Sequence, residues 1–132
     1  MKILVIENEY DSIKNSFEFA SVALFKGELQ ITNEKKSQSV PLSDIDKYDA
    51  IFVDISLATK SQKDGFGIIK DILSKDDTLA NRIVILTGNN KIEERIREHD
   101  LESFKIKVLY KPISYKDVGE AIRECITGTI SQ

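Results

Sequence analysis

Four short apolar runs, rich in β-branched residues, each stop abruptly at polar or charged side chains. Residues 3–6 (Ile-Leu-Val-Ile) end at Glu7-Asn8-Glu9, and residues 50–53 end at Asp54. Residues 83–86 end at Thr87-Gly88, and residues 106–110 at Lys111-Pro112. Continuous apolar runs of this length predict strands buried on both faces, as in a parallel sheet. Residues 28–33 carry alternating Leu29 and Ile31 and predict another strand, second in chain order and nearer an edge. Between the strands, apolar residues recur at spacings of three and four. Ile13, Phe17, Ala20 and Leu24 mark the first helix, with Gly27 as its stop. Residues 34–41 read as a loop. Ser43 with Asp46 three residues on predicts a short second helix. Phe66, Ile69, Ile72 and Leu73 mark the third, and Ile92 and Ile96 the fourth, capped by Asn90 and Glu93. Val118, Ala121, Ile122 and Cys125 mark the fifth, capped by Ser114 and Asp117. The polar stretch 58–64 reads as a loop, and residues 127–132 as a tail.

Five strands alternating with five helices predict an α/β fold: a doubly wound parallel sheet covered on both faces. At 132 residues the chain is expected to be one domain, 1–132. Its net charge of −3 argues against a general nucleic-acid-binding surface. One cysteine and one histidine, Cys125 and His99, exclude a disulfide within the chain and a Cys/His metal cage. Cys125 is expected to serve packing and His99 to lie on the surface. No apolar run approaches the ~20 residues of a membrane span, and no signal peptide is read at the N-terminus. The expected location is the cytoplasm.

Ligands of an open α/β sheet bind outside the carboxyl ends of its strands. Those ends supply Glu7, Asn8 and Glu9, then Asp54 and Ser56, then Thr87, then Lys111. Clustered carboxylates repel one another unless a cation joins them, and hard oxygen donors suit Mg2+. A carboxylate can attack phosphorus to form an acyl phosphate. A lysine ammonium and a hydroxyl can then stabilise the charge on the transferred group.

The segments ILVIENE, YDAIFVDISL with DGFGIIK, IVILTGN and LYKPIS, in that order, resemble the receiver domains of two-component response regulators. The resemblance covers nearly the whole chain. It implies a flavodoxin-like sheet of order 2-1-3-4-5 and a role as a Mg2+-dependent phospho-switch rather than an enzyme. It implies Asp54 as phosphoacceptor. Glu7, Asn8, Asp54 and the Ser56 backbone carbonyl are the implied Mg2+ ligands. Thr87 and Lys111 are the implied partners of the phosphate, and the Lys111-Pro112 bond is implied to be cis. A sensor histidine kinase or histidine phosphotransfer protein would donate the phosphoryl group. Output would pass to another protein, with the chain a monomer or a phosphorylation-dependent dimer.

Three departures stand out. Asn8 occupies a position where the family more often has Asp, so one negative charge is missing. Unit charges ~4 Å apart interact by about 4 kcal/mol at an effective dielectric near 20, and a third of that is about tenfold in affinity. Weaker Mg2+ binding is expected unless Glu9 compensates. Ala58 replaces a common proline in a lengthened loop. Val108 replaces an aromatic side chain that the family couples to the Thr87 position. Asn8 and Val108 motivate the alternative, a pseudo-receiver interaction module that works without phosphorylation. Enzymes on similar sheets fit less well. A flavodoxin needs a hydroxyl- and glycine-rich phosphate loop where Glu7-Asn8-Glu9 stands. A haloacid-dehalogenase-like phosphatase needs a second aspartate where Ser56 stands, and a Toprim-type metal site fails at the same place.

Overall fold

The computed structural model describes residues 1–56, 63–88 and 91–127. Five parallel strands form one sheet: β1 (Lys2–Ile6), β2 (Gln30–Glu34), β3 (Ala50–Asp54), β4 (Ile83–Thr87) and β5 (Lys107–Tyr110). Their order is β2-β1-β3-β4-β5, as the resemblance implies. The four apolar runs of the sequence become β1, β3, β4 and β5. β1, β3 and β4 are almost wholly buried, as expected of strands covered on both faces.

Four α-helices cover the sheet among the described residues: α1 (Lys14–Leu24), α2 (Gly65–Lys75), α3 (Ile92–Glu98) and α4 (Tyr115–Thr127). Alternate residues of each strand face opposite sides, so two cores form. Ile3, Val5, Phe52, Val84 and Leu86 share one with Phe17 of α1 and Val118, Ile122 and Cys125 of α4. Leu4, Ile6, Ile51, Val53, Ile83 and Ile85 share the other with Phe66, Ile69 and Ile72 of α2 and Ile92 of α3. Cys125 is buried, as expected, and burial pushes its thiol up to about 11. No described helix is long and apolar enough to cross a membrane.

The second predicted helix is present and short, but it differs in type and cap. Leu42–Lys47 is a 3-10 helix, and its N-cap residue, Pro41, offers no side-chain cap bond. Ser43 and Asp46 do not form the reciprocal pair their spacing implied. Ile45 alone is buried from this segment, which leaves no stripe to hold an α-helix. At the last helix the same signal holds: Asp117 N–H donates to Ser114 Oγ at 3.1 Å, and Ser114 N–H to Asp117 Oδ2 at 3.4 Å. Gly27 follows α1 with φ +75°, a conformation glycine adopts without strain, and its N–H returns to the Ser21 carbonyl at 2.8 Å. The predicted cap at Asn90 and the 58–62 part of the predicted loop lie outside the described residues.

His99 departs from its expected place on the surface. It is half-buried, and its ring stacks on Phe66 of α2 with centroids 4.2 Å apart and planes 13° from parallel. The guanidinium of Arg95 lies 5.1 Å from the same Phe66 centroid.

Candidate functional site

Strand register brings the polar ends together. Ile6 pairs with Val53 and Asp54 with Leu86, so Glu7 and Thr87 flank the Asp54 level. Thr87 pairs with Tyr110, which puts Lys111 one step beyond β5. The Lys111 N–H donates to the Thr87 carbonyl at 2.8 Å, and the Lys111-Pro112 bond is cis. Glu7, Asn8, Glu9, Asp54, Ser56, Thr87, Gly88 and Lys111 line one cleft of about 400 Å³. Every site residue read from the sequence stands in this cleft.

Three polar side chains of the cleft are deeply set. Glu7 is 1% exposed, Asp54 3% and Thr87 4%. The Lys111 ammonium donates to Glu7 Oε2 at 2.7 Å and lies 3.7 Å from Asp54 Oδ1. The same Asp54 oxygen accepts from the Ser56 N–H at 3.1 Å. Glu7 Oε1 accepts from the Glu9 N–H at 3.0 Å. One ammonium thus serves two buried carboxylates.

That balance appears in the protonation equilibria. Burial, then the charge of Glu7, pushes the Asp54 carboxyl up to about 7, against the opposing pull of Lys111 and the Ser56 N–H. Burial by itself would lower Lys111, but the bond to Glu7 and the charges of Asp54, Glu7 and Glu9 hold it above the ordinary lysine value. The pocket is short of positive charge, with two buried carboxylates sharing one ammonium.

The donor set fits a small hard cation. Two carboxylates (Glu7, Asp54), an amide side chain (Asn8) and backbone carbonyls are all oxygen donors. No three carboxylate, imidazole or thiol groups gather as a metal cage among the described residues. Mg2+ does not need such a cage, because it keeps several waters and accepts one or two carboxylates.

Two positioning residues escaped sequence reasoning. Asn33 of β2 donates its side-chain amide to the carbonyls of Val5 and Glu7, each at 3.0 Å, and so fixes the end of β1. Gly65 opens α2 against the peptide of Asp54. A Cβ there would stand 2.3 Å from the Asp54 carbonyl oxygen and 2.7 Å from Ile55 Cα. The DGFG segment hinted at a glycine requirement, but not at which backbone it touches. Val108 is half-buried against the α2/α3 core, near Ile96.

No protein-family model matches the chain. No curated protein matches it either. Solved structures do. A response regulator receiver domain protein from Clostridium thermocellum has a TM-score of 0.74 and 22% identity, covering 96% of this chain and 94% of the other. A sensor protein from Polaromonas sp. JS666 has a TM-score of 0.70 and 21% identity, covering 96% of each. The receiver domain of NtrX from Brucella abortus has a TM-score of 0.71 and 18% identity, covering 96% and 99%. With this sheet order, helices on both faces and near-complete overlap with these structures, the chain has the response regulator receiver fold.

Proposed function

We propose that the chain is a phosphoacceptor receiver domain, a switch whose state is set by phosphorylation of Asp54. The observation that carries this reading is the shared cleft: a buried carboxylate with a lysine ammonium 3.7 Å away and a second buried carboxylate beside it. Asp54 is the nucleophile. Glu7, the Asn8 side-chain oxygen, Asp54 and the Ser56 carbonyl would hold Mg2+. When bound, Mg2+ neutralises the carboxylates and the oxygens of the arriving phosphoryl group.

The residues of the chain do the rest. Lys111 holds Glu7 in the resting cleft and is placed to meet a phosphate on Asp54. Thr87, buried on the adjoining strand end, supplies a hydroxyl to the same group. A new dianion on Asp54 competes for Lys111 and shifts a two-state equilibrium that a partner protein reads. The donor is a histidine kinase or histidine phosphotransfer protein, and no turnover of a small substrate is assigned. Asn8 and Val108 still favour a second reading, an interaction module that works without phosphate.

Beryllofluoride separates them, because it mimics a phosphoryl group only where a carboxylate, a cation and a positive partner converge. By 19F NMR, the wild-type chain is expected to show bound beryllofluoride in Mg2+ and none in EDTA. Lys111→Ala should weaken that binding at least tenfold. Failure of the wild type to bind at high Mg2+ would favour the second reading.

A further inference from the structure

Between Glu7 and Glu9 stands a neutral residue, Asn8, so the cleft offers two buried acids where three would hold a divalent cation more tightly. The third acidic side chain lining the cleft is Glu9. Its backbone is pinned on both sides. The Glu9 N–H donates to Glu7 Oε1 at 3.0 Å, while its carbonyl accepts from Ser12 N–H at 3.0 Å and Ser12 Oγ at 2.7 Å. The Lys111 ammonium, 2.7 Å from Glu7 and 3.7 Å from Asp54, stands in the same cleft. The negative charge missing at Asn8 is therefore present two steps from Glu7, on a turn held by three hydrogen bonds.

We propose that Glu9 completes the divalent-cation site from its outer edge, accepting hydrogen bonds from cation-bound water in place of the carboxylate absent at position 8. The inference rests on the reading of this cleft as a Mg2+ site. Glu9 is exposed, whereas Glu7 and Asp54 are not. Set at the solvent edge of the cleft, it is placed to act through water. That geometry suits Mg2+, which keeps much of its hydration shell. It also carries little desolvation cost, because Glu9 never leaves solvent.

Calorimetric titration of the full chain with Mg2+, and with Mn2+ as a second probe, tests this at constant ionic strength. Glu9→Gln should weaken binding about fivefold, and Glu9→Asp should recover part of the loss. Asp11→Asn, which removes an exposed acid from the same turn outside the cleft, should change affinity less than twofold. Thermal melts without metal should be the same for Glu9→Gln and the wild type, since only backbone groups of Glu9 hold the turn. If the wild type binds cation and Glu9→Gln binds within twofold of it, or if Asp11→Asn costs as much as Glu9→Gln, the role of Glu9 is overturned while the cation site stands. If the wild type binds neither metal, both this inference and the phospho-switch reading fail.

Discussion

Replacing Asp54 with Asn should make the metal-free protein more stable at pH 8 and leave its stability at pH 4 nearly unchanged. The Asp54 carboxyl is raised from 3.8 to about 7 in the fold, first by burial and then by the charge of Glu7. Below pH 4 it is protonated in both folded and unfolded chains, so it contributes no difference. Between pH 4 and 7 the folded chain keeps a proton that the unfolded chain has lost. Stability therefore falls as pH rises through that window, and stays low above it. At 1.36 kcal/mol per unit, the cost above pH 7 is on the order of 2–4 kcal/mol. The amide introduced by Asp54→Asn cannot ionise and is nearly isosteric with the carboxyl, so the variant escapes that cost. Melts without divalent cation should place it roughly 10 °C above the wild type at pH 8, with the gap closing by pH 4. Added Mg2+ should close it from the other side, by stabilising the wild type. Equal melting temperatures at pH 8 without metal would mean that Asp54 does not carry the electrostatic load assigned to it.

Gly65→Ala should disturb the Asp54 site more than the fold. The added methyl would lie 2.3 Å from the Asp54 carbonyl oxygen, 2.7 Å from Ile55 Cα and 3.0 Å from the Asp54 carbonyl carbon. All three are backbone atoms in or next to a central strand, so none can swing aside. The first turn of α2 is also held in place, with Gly65 N–H on the Ile55 carbonyl at 3.2 Å and Asp64 capping Gly67 at 2.9 Å. Relief requires moving the 54–55 peptide, which carries the carboxylate away from the Ser56 N–H and Lys111. Overpacking of this kind costs about 1–3 kcal/mol, and Asp54 phosphorylation by a small donor should slow more than tenfold. Gly119→Ala is the control. Its Cβ would meet Leu24 Cδ1, the end of a flexible side chain between α1 and α4. Its phosphorylation should stay within twofold of the wild type. Equal slowing in both variants would reduce the role of Gly65 to general stability.

These two sites mark how far the sequence could be read. Asp54 was legible because buried parallel strands leave a hydrophobic signature and the residue ending each run is visible in one dimension. Glu7, Thr87 and Lys111 followed from the same logic, since register carries consecutive strand ends to one edge. The contact between Gly65 and Asp54 was not legible. It depends on the entry angle of α2 over β3, which no local pattern encodes. The 42–47 segment was legible as a short helix but not in its type: Ser43 and Asp46 have capping-box spacing, but a single buried side chain, Ile45, cannot sustain an α-helix. His99 looked solvent-facing because α3 is polar. Its partner, Phe66, belongs to another helix, and only packing of α2 against α3 reveals the stack.

The most direct test of the central claim is the intact mass of the chain after incubation with Mg2+ and phosphoramidate, beside an Asp54→Asn control. The native chain should gain one phosphoryl group, with none gained in EDTA and none in the variant. An unmodified mass at high Mg2+, or a phosphoryl group that survives Asp54→Asn, would contradict it.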